Sequence, residues 1–138
     1  MNAYEMLHLF ILALAVYRES RGESYQGKLA VAHVILNRVR DARWPDTVRD
    51  VILQPWQFSA FNKNDSQVTV FPKAEFDSAW EESFRAAQEA LAGGVDLTHG
   101  SNHYLNAETV LKTSGALPTW AKPEAKILTI GSHDFYKL

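Results

Sequence analysis

Apolar residues dominate positions 7 to 16: Leu7, Phe10, Ile11, Leu14 and Ala15 recur at helical spacing, and Leu9, Leu12 and Val16 fill the other faces. A helix that is apolar almost all round is a buried one, so this segment predicts a core helix running to about Glu19. The polar string from Tyr17 to Gly27 interrupts it. Ser24 then has the chemistry of an N-cap, and Leu29, Ala32, Ile35 or Leu36, and Val39 predict a second, amphipathic helix that ends before Pro45 and packs beside the first. Thr47-Val48-Arg49-Asp50 has capping-box form and opens a short helix closed by Pro55. From Trp56 to Val70 the periodicity stops. Pro72 leads into the longest pattern, Phe76, Trp80, Phe84, Ala87 and Leu91, which predicts a helix ending at Gly93-Gly94 with those five in the core and Glu81, Glu82, Arg85 and Glu89 in solvent. Beyond Gly94 the period shortens. Residues 101–105, 127–130 and 134–136 predict short strands, the last two joined by a Gly131-Ser132 turn, with 107–123 a loop holding Trp120. The pattern therefore predicts an α+β fold, mostly α-helical, with a small antiparallel sheet, formed by residues 1–138 as one domain.

Composition narrows the function. With 138 residues and 46% hydrophobic content, the chain buries a core without staples, and with no Cys it has no disulfide, zinc-thiolate site or thiol nucleophile. A net charge of −2 argues against a nucleic-acid partner, which demands a basic excess. The apolar run near the N-terminus follows Glu5 and no Lys or Arg, unlike a secretory leader. Cutting at Ala13-Leu14-Ala15 would detach the helix that carries Glu19. At roughly ten strongly apolar residues, the run is also short of the about 20 that span a bilayer. These features predict synthesis in the cytoplasm without a signal peptide, and no membrane insertion.

Glu19 is the first candidate for chemistry. At the C-terminal end of a buried helix, the negative dipole end and apolar surroundings both push a carboxyl pKa upward, as a general acid requires. Arg18 and Arg21 pull the other way, and a solvated helix end with local ion pairs is the competing reading. Glu23, four positions on, would share a helix face with Glu19 if the helix were continuous, and mutual repulsion would then supply an acid beside a base; Gly22 argues against continuity. Trp56, Phe58 and Phe61, interleaved with Gln57, Ser59, Asn62, Asn64 and Asp65, either plug a core edge or stack on a sugar ring. Asn37 and Arg38 are read as a helix-end hydrogen bond and a surface charge, or as substrate contacts. His99, His103, His133 and Asp134 would be the ligands of a metal-dependent amidase or peptidase, although no H-E-x-x-H occurs. A non-catalytic wall-binding or phage structural module is the third possibility.

Glu19-Ser20-Arg21-Gly22-Glu23 with Gln26-Gly27, followed by Ala30 to Val39, resembles the signature of the SleB-like cell-wall hydrolases, the family of the spore-cortex-lytic enzymes. The resemblance continues in order through Trp44-Pro45, Val48 to Val51, Gln57-Phe58-Ser59, Ala86 to Leu91, Gly100 to Tyr104, Trp120 and Ile130 to Tyr136. Two positions depart from it: Ser20 stands where the family usually has Ala, and Ser132 where it often has Asn. The resemblance implies a lysozyme-like, lytic-transglycosylase-like domain that cleaves the β-1,4 bond between N-acetylmuramic acid and N-acetylglucosamine, by transglycosylation or as a muramidase. It implies Glu19 as general acid and base, one carboxyl group being enough; if a partner carboxylate exists, Glu23 is the first choice, and no cofactor or metal is expected. It places Phe58 and Ser59 in the cleft and Trp120 at its border, with Tyr104, Asn106 and His133 orienting the acetamido and muramoyl groups. The expected partner is a peptidoglycan glycan strand, met by a monomer after phage-type release, as with an endolysin.

Overall fold

The computed structural model describes residues 1–54 and 77–138. The first helix, α1 (Ala3–Ser20), starts at a capping box: the Asn2 side chain accepts from the Glu5 N–H at 2.8 Å, and the Glu5 carboxylate accepts from the Asn2 N–H at 3.2 Å. Every side chain from Leu12 to Arg18 is buried. Burial begins later than the pattern predicts, since Leu7 and Phe10 remain 51% and 47% exposed. Ser24 caps α2 (Tyr25–Val39) by accepting from the Gly27 N–H at 3.2 Å. A Cβ on Gly27 would lie 2.9 Å from that of Glu23, so glycine lets the turn fold back onto the helix. Thr47 caps α3 (Val48–Ile52) through the Asp50 N–H.

The helix α4 (Ser78–Leu91) is capped by Asp77, whose other oxygen accepts from the Tyr17 hydroxyl at 2.7 Å and ties α4 to α1. These helices pack mutually, and small residues let them approach: Ala13, Ala32, Ala86, Ala87 and Ala90 have no exposed surface. The buried face of α4 is Ser83, Ala86, Ala87 and Ala90. The predicted stripe is therefore corrected: Leu91 is 41% exposed, and Trp80 and Phe84 pack only at the margin. At about 100° per residue, Ser83, Ala86, Ala87 and Ala90 centre roughly 70° round the helix from the stripe, so the contact runs along its alanine side. Phe76 lies outside the described residues. Lys28, 1% exposed, bridges α2 to α4 by donating to Glu82 at 3.1 Å.

Three antiparallel strands, β1 (His103–Leu105), β2 (Lys126–Ile130) and β3 (His133–Tyr136), form a sheet in the order β1-β3-β2. Each starts within two residues of its predicted position, and the Gly131-Ser132 turn joins β2 to β3 as expected. Phe135 has no exposed surface and packs on Ala30 and Val34, which seats the sheet on α2. One element replaces a predicted loop: α5 (Ala107–Ser114), capped by Asn106 and closed by Gly115 at φ +77°. It buries none of its residues fully, so no apolar period announces it. The fold is thus mostly helical with a small antiparallel sheet, and no helix among the described residues is long and apolar enough to cross a membrane.

His33, 2% exposed on α2, has its pKa held below the ordinary 6.5 by burial, against the opposing pull of Asp96. The unfolded chain binds a proton near 6.5 while the folded chain does not until lower pH, so stability falls as pH drops through that window. Denaturant titrations between pH 7.5 and 5 are expected to show this loss, with a shallower decline in His33→Leu.

Candidate active site

The last turn of α1 delivers Glu19. Ser20 beside it is buried and donates its hydroxyl to the Val16 carbonyl at 2.7 Å, so a serine at this position leaves no polar group unsatisfied. Glu19 is half-buried, with its Oε1 shielded from solvent. Facing it from β1, the buried Tyr104 phenol lies within reach of the Glu19 charge. Burial first, then the Glu19 charge, push the phenol well above its usual pKa of 10. Tyr104 therefore keeps its proton at neutral pH and is available as a donor.

Two lobes of one cleft meet at this carboxyl group. The larger, about 630 Å³, lies between Glu19, Tyr104, Asn106, Trp120 and His133, with Arg38 and His103 along its floor and Thr109 and Val110 of α5 along its wall. The smaller, about 430 Å³, is lined by residues 18–23 together with Asn106 and His133. Glu19, Asn106 and His133 border both. Cavities of this size accommodate sugar rings on either side of an acid.

The histidines are neutral in this setting. Burial, with Arg38 and Arg43 adding to it, lowers His103 to about 4. Its Nδ1 lies 2.8 Å from Asn102 Oδ1, while the Asn102 Nδ2 donates to the Leu138 carbonyl, so Nδ1 carries the proton. His103 sits 4.7 Å from Trp120, which meets Tyr136 edge-on at 5.3 Å, and the three form an aromatic shelf. Burial likewise lowers His133, against Glu23 and Asp134; its ring meets Tyr104 at 5.0 Å.

Six of the eight residues singled out from the sequence, Glu19, Glu23, Tyr104, Asn106, Trp120 and His133, border these lobes. Phe58 and Ser59 lie outside the described residues, as do Trp56 and Phe61. Asn106 also caps α5 by accepting from the Thr109 N–H, which leaves its amide hydrogens as donors toward the cleft. Glu23 borders the smaller lobe only, and its carboxylate accepts from the Ser132 N–H at 2.8 Å. It shares no continuous helix with Glu19, because α1 ends at Ser20 and α2 begins at Tyr25. Asn37 donates to Asp96 and the Ser101 carbonyl, and Arg38 to the Asn102 carbonyl. Among the described residues no three His, Asp or Glu side chains come together as a metal site. No apolar period marks the cleft wall from α5, although Asn106 and Gly115 are cap signals that bracket it.

A carboxyl group at the end of a buried helix, facing a small sheet across a two-lobed cleft, defines a lysozyme-like domain. The chain belongs to the cell wall hydrolase family, whose sequence profile matches residues 22–136. It is 39% identical over 136 residues to the spore cortex-lytic enzyme of Bacillus cereus and 40% identical over 136 residues to that of Oceanobacillus iheyensis, in each case across 99% of this chain. The chain spans less than half the length of those relatives, 46% and 44%. Among solved structures it is similar to the catalytic domain of the germination-specific lytic transglycosylase SleB from Bacillus anthracis, with a TM-score of 0.76, 37% identity and 99% of both chains covered. The catalytic domain of the Bacillus cereus SleB protein gives 0.75 at 37% identity, covering 99% of this chain and 94% of that one.

Removing the phenol while keeping the ring separates donor from packing. Tyr104→Phe is expected to fold with little change in Tm and to lose about 10- to 100-fold in kcat, the value of one hydrogen bond to a charged group, about 1.5–3 kcal/mol.

Proposed function

We propose that this chain is a peptidoglycan-cleaving glycosidase that acts on the β-1,4 bond between N-acetylmuramic acid and N-acetylglucosamine, with Glu19 as the proton-transferring group. The observation that carries this reading is the position of Glu19, faced by Tyr104 at the junction of two lobes. Likeness to a lytic transglycosylase catalytic domain over 99% of the chain supports it.

In the proposed reaction the strand lies across both lobes with the scissile oxygen at Glu19. The Glu19 carboxyl donates its proton to that oxygen as the bond to the muramoyl C1 breaks, and the departing saccharide leaves as an alcohol. The substrate's own acetamido group stabilises the cationic C1. The Glu19 carboxylate then takes the proton of the muramoyl 6-hydroxyl, whose oxygen closes onto C1. Glu19 ends protonated as it began, no water is consumed, and the product carries a 1,6-anhydro ring. One carboxyl group suffices for both proton transfers. Tyr104 orients it, the Asn106 amide and His133 flank both lobes, and the Trp120 shelf offers an apolar face for a pyranose ring.

Purified peptidoglycan is the test substrate. Glu19→Gln is expected to fold as the parent and to lose at least about 10³-fold in activity, within the range of general acid–base catalysis. Mass spectrometry of the parent's products is expected to show anhydro-muramoyl ends, and EDTA to leave the rate unchanged. Reducing ends would identify a hydrolase, and free stem peptides with chelator sensitivity an amidase.

A further inference from the structure

Glu23 is placed for a task other than proton transfer. Its Oε1 accepts from the Ser132 N–H at 2.8 Å, joining the α1–α2 turn to the β2–β3 hairpin across 109 positions of sequence. The fit is tight. Gly131, in the left-handed region at φ +57°, has the Glu23 carboxylate where its Cβ would stand, so no other residue fits there without displacing Glu23. The Glu23 backbone is held as well, since the buried Lys28 ammonium donates to its carbonyl. The contact uses the main chain of Ser132 and not its side chain. One residue further on, His133 Nδ1 lies 3.8 Å from the same Glu23 oxygen, and its ring meets Tyr104, the partner of Glu19.

We propose that Glu23 is a positioning residue, a clamp on the hairpin that holds His133 and, through it, Tyr104 against Glu19, and that it is not the second carboxylate of a two-carboxylate mechanism. This rests on the assignment of Glu19 as the proton-transferring group.

Kinetics on purified peptidoglycan with Glu23→Gln, Glu23→Ala, Gly131→Ala, Glu23→Ala/Gly131→Ala and Glu19→Gln test it, with kcat, KM and product ends measured. A glutamine oxygen still accepts from Ser132. Glu23→Ala is therefore expected to lose about 10- to 100-fold, mainly in kcat, as misplacement of a catalytic constellation does, and Glu23→Gln to restore most of that loss. Gly131→Ala is expected to cost a similar factor, and the double variant no more than either single one, because both break the same contact. The ratio of anhydro to reducing ends stays that of the parent in every active variant. Glu23→Gln as inactive as Glu19→Gln, or a changed product ratio, makes Glu23 a group that acts on the substrate and overturns the proposal. Full activity in Glu23→Ala overturns it too. Should Glu23→Ala fail to fold, the comparison of Glu23→Gln with Glu19→Gln still decides. An active Glu19→Gln would instead remove the assignment of Glu19, whatever Glu23 does.

Discussion

One electrostatic contact joins the helical layer to the sheet at the point where chemistry is expected, between the Tyr104 phenol and the Glu19 carboxyl group. Each partner is immobilised from behind. Glu19 ends a helix whose middle turns are buried on every side, and Tyr104 sits on a strand paired with β3, which is anchored in turn by Phe135 against α2. Neither group can swing away without opening a packed interface, whose rearrangement costs far more than one rotamer change. The shielded surroundings also keep the phenol protonated, so the donor is always present when the carboxyl group needs it.

The remaining polar groups follow from the same economy of space. Arg38 is buried beneath the cleft and gives its Nε to the Asn102 carbonyl, while Asn102 aligns the proton of His103 through its side chain. The positive charge under the floor is one reason His103 stays neutral, which leaves an aromatic surface where a charged imidazolium would bind water. Asp96 gathers four donors, from Thr98 twice, Gly100 and Asn37, and thereby fixes the approach of the chain to β1. A polar scaffold with every partner supplied holds a site more rigidly than apolar packing alone.

Much of this was legible in the sequence because it is written locally. Ser24 and Thr47 act as the caps their chemistry suggests, and the apolar run to Glu19 is a helix, buried on all faces from Leu12 to Arg18. Gly131-Ser132 is the turn its composition predicts. What stayed hidden is non-local or unpatterned. The helix α5 buries nothing fully, so its only signature is a cap at each end. Leu91 belongs to an apolar stripe by spacing but not by packing, because the neighbouring helices touch α4 along its alanines. The spacing of Glu19 and Glu23 gives a shared face only on a continuous helix, which Gly22 argues against, and nothing in it points to the backbone N–H more than a hundred residues away that the Glu23 carboxylate meets. No local string encodes that contact. Phe58 and Ser59, read as cleft residues, fall outside the described residues.

The sheet order β1-β3-β2 has a consequence for biosynthesis. Its middle strand is the last of the three in chain order, and both outer strands pair with it rather than with each other. While the polypeptide is still emerging from the ribosome, the outer strands have nothing to hydrogen-bond to, and Ala30 and Val34 lack their cover. The hairpin closes β3 locally onto β2, but the pairing of β1 with β3 is long-range and must wait for the whole segment to be free of the exit tunnel. The arrangement therefore withholds a finished cleft from nascent chains until β3 has been made.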